Sequence, residues 1–253
     1  MTWGDYRTFV KSFTTFNAKP AISSNAEWDT AIARYLDEYC ETALCLYADN
    51  NAIETTDGWL HGVPPIYDLM DGTFYAAGTD GYTRRVVWPV NVVVQDRTLR
   101  NLAGRHGPVS VSEMQSLNPY GQATTTSVAA VKYWSFRPDK KIRVFRQPAS
   151  GFNSGTVKTG VIPGWYLHPK MTNDAHVLHL PTAEEHPSAV WIAARVMQPN
   201  AQGSSLEKMA ALSLTAREHF MARARQAIEL VGATHGPNYA TALMLTAAKD
   251  VAA

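Results

Sequence analysis

The chain has 253 residues, of which 45% are hydrophobic and 18% charged, an ordinary composition for a globular protein of one or two domains. Its 16 glycines and 14 prolines exclude a collagen-like or low-complexity chain, and its two cysteines exclude a disulfide scaffold and suggest a reducing compartment. The net charge of +1 argues against a protein that coats nucleic acid.

The N-terminal part of the chain predicts two helices. Thr2 with Asp5 forms an N-cap signature, and the first helix should end before Pro20. Ser24 with Glu27 forms a capping box for a longer helix. The apolar spacing extends that helix from about Asn25 to about Ala48. Acidic residues occupy its other face: Asp29, Asp37, Glu38 and Glu41.

The middle of the chain predicts short strands and one short helix. Arg85–Trp88 and Asn91–Val94 are β-prone runs, and the proline between them favours an edge strand or a bulge. Ser110 with Glu113 predicts a capped helix. A hairpin with a four-residue turn is expected over Val131–Phe136 and Lys141–Phe145. A broken strand is expected over Thr156–Leu167.

Helical patterns return in the last quarter of the chain. One helix should start near Pro187, with Ala189, Val190, Ala193, Val196 and Met197 on its buried face. A second is predicted over Ser204–Val231, closed by Gly232, and its apolar face should pack against that of the helix starting at Asn25. Residues 233–253 form a tail with a brief apolar stretch. No signal peptide and no transmembrane helix are predicted.

Charge is divided between the halves of the chain. Residues 1–126 carry 9 Lys+Arg against 14 Asp+Glu, whereas residues 127–253 carry 14 against 8. The strongest cluster lies between Lys132 and Lys170, where eight basic residues face a single acid, Asp139. Three interpretations remain open: a solvated edge strand protected by charge, contact with an acidic neighbouring subunit, or contact with a DNA backbone. The candidate residues at this basic hairpin are Lys140, Lys141, Arg143 and Arg146.

Catalytic and metal-binding motifs fail on spacing, so no catalytic residue, metal or cofactor is predicted. The glycine-rich run from Gly151 lacks a lysine directly after its second glycine, which a phosphate loop requires. His176 and His179 should point to opposite faces of an extended segment rather than converge on zinc. Cys40 and Cys45, five apart on the long helix, should be neither a disulfide nor a metal pair.

The order of these parts resembles the head-to-tail adaptor (connector, or neck) proteins of tailed bacteriophages and related gene transfer agents. The resemblance covers about residues 1–231 and rests on six segments in a fixed order. They are the long N-terminal helix, the pair Val131–Phe136 and Lys141–Pro148, the strand ending Trp165–Pro169, the Leu180-Pro181 step, the Ala193-Ala194 pair and the helix with His219–Arg223.

The resemblance implies a mainly α fold with β excursions. A helical bundle (residues 1–48 and 182–232) carries a β-rich insertion (residues 49–181), and together they form one adaptor-like domain, residues 1–232, followed by a C-terminal docking arm, residues 233–253. It also implies a ring, usually twelvefold, in the virion neck, assembled in the host cytoplasm. Its partners would be the portal, tail or nozzle proteins and the passing double-stranded DNA, with no membrane. The expected portal-docking residues are Pro237, Asn238, Tyr239, Leu243, Met244 and Leu245.

Two other functions remain open. One is a virion-associated hydrolase that uses the histidines around His176–His186. The other is a tail-tube or tail-terminator protein, which should have a β-dominated core. The two long predicted helices favour the connector over this last class.

Overall fold

A computed structural model describes residues 1–14, 22–49, 51–53, 66–69, 74–76, 83–94, 97–98, 108–117, 124–125, 133–137, 139–145, 147–148 and 160–197, and seven isolated positions between 207 and 222. These residues combine α-helices with short strands in small sheets. This agrees with the coarse expectation of helices interrupted by β elements. The helices are α1 (Trp3–Thr14), α2 (Asn25–Ala43), α3 (Val111–Leu117) and α4 (Thr182–Met197).

The strands are short, and most belong to antiparallel pairs. They are β1 (Tyr47–Ala48), β2 (Asn51–Ile53), β3 (Ile66–Asp68), β4 (Phe74–Ala76), β5 (Thr83–Arg84), β6 (Val86–Pro89), β7 (Val93–Val94), β8 (Arg97–Thr98), β9 (Thr124–Thr125), β10 (Tyr133–Phe136), β11 (Lys141–Phe145), β12 (Gln147–Pro148), β13 (Gly160–Val161) and β14 (Gly164–Tyr166). Among the described residues they form four sheets: β1-β14-β6, β10-β11-β3, the parallel pair β12-β9, and β5-β4-β2-β13-β7-β8.

The chain divides into two compact units. Among the described residues, a helical unit comprises those within Met1–Leu46 and Leu167–Ile228, and a β unit comprises those within Tyr47–Tyr166. Residues 167–181, which were expected in the β-rich insertion, therefore belong to the helical unit. The reason is local: Trp3 N–H donates to the carbonyl of His176 (2.8 Å) and Gly4 N–H to that of Asp174 (3.1 Å). This segment thus satisfies the first amide groups of α1, which no helix can satisfy internally.

In the helical unit, α4 packs against both α1 and α2. Tyr6, Ile32, Leu36 and Ile192 are completely buried at the core of this unit. The predicted apolar face of α4 is confirmed, because Ala189, Val190, Ala193, Val196 and Met197 are all buried.

Two buried hydrogen bonds tie α4 to the other helices. Tyr39 Oη donates to the carboxylate of Glu184 at 2.5 Å, and Tyr6 Oη lies 2.6 Å from Ser188 Oγ, which itself donates to the Glu184 carbonyl. Burial is the main cause that raises the pKa of both tyrosines well above the ordinary value. Both phenols therefore stay protonated and available as donors, as buried polar groups in a core require.

Helix α2 begins as predicted but ends five residues early. The Ser24–Glu27 capping box forms in both directions. The helix stops at Ala43 because Leu44 adopts a left-handed conformation (φ 49°) and donates its N–H to the Cys40 carbonyl. Tyr47–Ala48, expected in the helix, pairs with β14 instead. The backbone of these residues is satisfied by strand partners rather than by another helical turn.

Helix α4 begins at Thr182, five residues before the expected start, so Pro187 lies inside the helix rather than in its first turn. A proline there removes the amide that would bond to the carbonyl four residues earlier. Because that carbonyl lies close to the N-terminus, the loss is confined to a single bond near the helix end. Next to it, Ser188 Oγ donates to the carbonyls of both Glu184 and Glu185.

The β unit confirms several local predictions. The helix capped by Ser110 and Glu113 is α3, in which each residue bonds to the backbone N–H of the other. Strand β6 ends at Pro89 on the edge of its described sheet, as the proline favours. Trp134 and Ile142 are fully buried in the core of this unit, together with Val86, Val87, Leu69 and Ile162.

The predicted helix Ser204–Val231 lies mostly outside the described residues. The seven described positions in it are helical and exposed: Glu207, Ala210, Ala211, Leu214, Thr215, Glu218 and Ala222. Its predicted packing against α2 stays a prediction.

Candidate interaction surface

The basic hairpin exists as predicted, with β10 and β11 antiparallel around a four-residue turn. Tyr133 pairs with Phe145 and Phe136 with Ile142. The turn is closed by two backbone bonds, from Lys140 N–H to the Arg137 carbonyl and from Arg137 N–H to the Lys141 carbonyl, and Lys140 has a positive φ of 58°. This left-handed conformation is uncommon for a residue with a Cβ. It occurs here at Lys140, the last residue of the turn before β11.

Strand β11 is not an edge strand. It lies between β10 and β3, with Ile66 opposite Arg143 and Asp68 opposite Lys141. The interpretation of the basic cluster as a solvated edge strand therefore does not apply to β11, whereas β10, the other strand of the hairpin, lies at the edge of the described sheet. Sequence spacing could not show this, because β3 lies more than 70 residues before β11 along the chain.

The four candidate bases do not share one environment. Lys140 and Lys141 are half-buried, and the ammonium of Lys140 lies 4.8 Å from the ring centroid of Trp88. Arg143 is half-buried with its Nε inside the protein, and desolvation, together with the charge of Arg137, lowers its pKa. Arg146 lies outside the described residues.

The bases at the turn outnumber its acid. Arg137 forms an ion pair with Asp139 at 3.1 Å, and both side chains are more than a third exposed. Lys140 and Lys141 follow directly in sequence, and Asp68 of β3 lies opposite Lys141, so three bases and two acids lie at this end of the hairpin. The hairpin end therefore presents net positive charge, as the sequence predicts.

The acidic side of α2 is partly neutralised within the chain itself. Both carboxylate oxygens of Asp29 accept hydrogen bonds from Arg7 Nη1 at 2.8 Å, and Glu38 Oε1 accepts one from Arg195 Nη2 at 2.6 Å. Asp37 and Glu41 are half-buried on the same helix. The α2 surface is acidic as predicted, but two of its four carboxylates also hold the helical unit together.

Arg7 is the centre of the strongest of these contacts. It bonds Asp29 on α2 and also forms a two-pronged contact with Asp174, at 2.9 and 2.6 Å. Its side chain is 8% exposed, whereas that of Asp174 is 63% exposed. One guanidinium thus joins α1, α2 and the 167–181 segment, and the planar fork of arginine suits paired carboxylates better than lysine would.

We expect Arg7→Met to lower the free energy of unfolding by about 2 kcal/mol, the range for charge-assisted bonds made by a buried group. The hydrogen bonds from Arg7 lower the pKa of Asp174 below its ordinary value of 3.8. The contribution of this contact to stability is therefore complete above that value and is lost as the pH falls through the lowered pKa.

Urea titrations at several acidic pH values measure both effects. Arg7→Met should flatten the acid dependence of stability, whereas Arg34→Met, at an exposed site on α2, should leave it unchanged. Equal acid dependence in the wild type and in Arg7→Met would contradict this assignment.

His168 and His186 pack within the helical unit. His168 is buried, its Nδ1 lies 2.8 Å from the Pro169 carbonyl, and its Nε2 accepts the N–H of His179 at 3.0 Å. Its ring stacks on Trp3. His186 packs edge-on against Phe13. Within the described ranges, no group of three or more His, Cys, Asp or Glu residues is placed to hold a metal ion.

Cys40 and Cys45 are closer than the sequence suggested. Their sulfur atoms lie 3.9 Å apart, and both are free thiols. The prediction that they do not meet assumed a continuous helix. Since α2 ends at Ala43, the left-handed Leu44 turns Cys45 back over the last turn.

The expected portal-docking residues all lie outside the described residues: Pro237, Asn238, Tyr239, Leu243, Met244 and Leu245.

Among the helices that are described, none combines the length and apolar character needed to cross a bilayer. In comparisons with known proteins, neither a protein-family model nor a curated protein matches the chain.

Proposed function

We propose that this protein is a structural virion component: a head-to-tail connector whose subunits form a ring between the capsid portal and the tail and extend the DNA channel. The finer fold assignment, a helical adaptor bundle with a β insertion, is part of this proposal. In it, residues 237–245 dock on the portal, and tail or nozzle proteins bind the opposite side of the ring.

The observation that carries the proposal is the placement of opposite charges on different units. The basic hairpin end (Arg137, Lys140 and Lys141) belongs to the β unit, whereas the acidic surface of α2 belongs to the helical unit. Two different surfaces of complementary charge favour a head-to-tail contact, and such contacts close into rings when the rotation between subunits permits.

The hairpin end is directed at the neighbouring subunit in this proposal. Exposed charge pairs contribute only about 0–1 kcal/mol each, but the same contact repeats at every interface of the ring. The contact should weaken as salt screens it. The alternative role of the same bases is contact with DNA. Substitution of the acidic residues of α2 would leave DNA binding unchanged.

One observation weighs against the tail-tube or terminator alternative. The helical unit built from α1, α2 and α4 is unlike the β-dominated core of a tail-tube or terminator protein.

Charge reversal at the hairpin tests the proposal. Lys141→Glu should raise the concentration needed for assembly about tenfold, because one attraction per interface becomes a repulsion of similar size. Mass measurement at low salt and at about 0.5 M salt, alone and with the portal protein of the same virion, provides the readout. The ring should have about twelve times the 27.9 kDa of one chain.

Lys170→Glu is the matched control, since it makes the same change of charge at an exposed site in the helical unit. It should assemble like the wild type. A wild-type chain that stays monomeric at every salt concentration, even with the portal, would overturn the proposal. Loss of DNA binding by Lys141→Glu with normal rings would reassign the hairpin to DNA.

A further inference from the structure

The two cysteines lie at opposite ends of one helix-termination motif. In the left-handed cap of α2, Leu44 is the residue that leaves the helix, Cys40 supplies the carbonyl that Leu44 bonds, and Cys45 follows Leu44. In such motifs the side chains at these two flanking positions commonly contact each other. Here the contact is between two sulfur atoms at 3.9 Å.

The two thiols differ in their surroundings. Cys40 is 1% exposed, and burial is the main cause that raises the pKa of its thiol. The backbone of His168 acts in the opposite direction and lowers the pKa of the Cys40 thiol, but by less than burial raises it. Cys45 is only half-buried, so a small oxidant in solution can reach it. The Cys45 thiol is therefore accessible, and the buried Cys40 thiol lies next to it.

We propose that Cys40 and Cys45 form a reversible intramolecular disulfide when the folded protein meets a peroxide or a low-molecular-weight disulfide. An S–S bond is about 2.05 Å long, so the sulfur atoms must approach by roughly 2 Å, a movement within the range of side-chain rotation. The proposal is independent of the connector function.

The reaction with peroxide takes place in two balanced steps. The Cys45 thiolate attacks one peroxide oxygen, the O–O bond breaks, and the products are Cys45 sulfenic acid and, after protonation, one water. The Cys40 sulfur then attacks the Cys45 sulfur, the S–O bond breaks, and the released hydroxide takes the Cys40 proton to form a second water. Two thiols and one peroxide thus give one disulfide and two waters.

The bond would staple the end of α2. It would close the segment from Cys40 to Cys45, which contains the left-handed Leu44. Two residues after Cys45 the chain enters β1 of the β unit. The last turn of a helix is usually its least protected part. Oxidation should therefore slow the amide exchange of Leu44, whose N–H closes that turn.

The test is oxidation of the folded protein followed by intact mass and thiol counting. With a modest excess of hydrogen peroxide, we expect a loss of about 2 Da per chain, no remaining free thiols, and a single linked peptide that contains both cysteines. Dithiothreitol should restore both thiols. In glutathione buffers, the disulfide should be at least tenfold more favoured in the folded chain than in urea.

Two variants distinguish disulfide formation between Cys40 and Cys45 from the general reactivity of a single thiol. Cys45→Ser, at the half-buried site, should fold normally and resist oxidation, because only the buried thiol remains. Cys40→Ala should leave Cys45 to form sulfinic acid or a mixed disulfide. The proposal is overturned if the folded wild type keeps both thiols under conditions that oxidise free glutathione. It is also overturned if the disulfide is no more favoured in the folded chain than in urea.

Discussion

Leu36→Asp should abolish the folded helical unit. Leu36 is completely buried on α2, where this helix packs against α4. The substitution replaces the branched end of the leucine side chain in the core with a carboxylate that has no designed partner there. The combined cost is about 4 kcal/mol or more, a large part of the 5–15 kcal/mol stability of an ordinary domain.

Soluble yield and far-ultraviolet circular dichroism check this expectation. Leu36→Ala serves as a milder variant, since it should remain soluble and lose about 2–5 kcal/mol in urea titrations. Thr30→Asp, at an exposed site on the same helix, is the matched control and should behave like the wild type. A soluble Leu36→Asp chain with wild-type melting would show that α2 does not bury this face.

Gly164→Ala should disrupt the sheet of β1, β14 and β6. Strand β14 lies in the middle of this sheet, with Gly164 opposite Pro89 on one side and Ala48 on the other. A Cβ added at Gly164 would lie 2.3 Å from the carbonyl oxygen of Trp88, and a backbone atom cannot rotate away. Separation of the strands should cost about 3 kcal/mol, at the upper end for overpacked sites.

The near-ultraviolet signal of the tryptophans reports on this site, because Trp88 and Trp165 are buried on the two strands concerned. We expect Gly164→Ala to reduce that signal and to lower the melting temperature. Gly4→Ala is the matched control. Its added Cβ would meet the side chain of Asp174 at 3.2 Å and the carbonyl oxygen of that residue at 3.5 Å, so its effect should stay within about 1 kcal/mol. Equal melting of the two variants would contradict the close approach at Gly164.

The basic hairpin shows how much of the candidate surface could be predicted from the residues. Its two strands and its four-residue turn are local features, and the structure confirms them. The different surroundings of the individual bases could not be predicted from the sequence. Arg143 lies partly inside and Lys140 lies over Trp88 because β3 and β6, distant in sequence, supply the neighbouring surfaces.

The amino-acid sequence alone determined the starts of α2 and α3, because a capping box uses only residues three apart and needs no tertiary partner. Tertiary structure decided where α2 ends and α4 begins. Apolar spacing continues past Ala43, but pairing of Tyr47–Ala48 with β14 satisfies the backbone better than another turn. The same left-handed turn at Leu44 brought Cys45 onto Cys40, a contact that helical periodicity excludes. The strand pairing that follows α2 depends on hydrogen bonds between distant segments, which no local pattern contains.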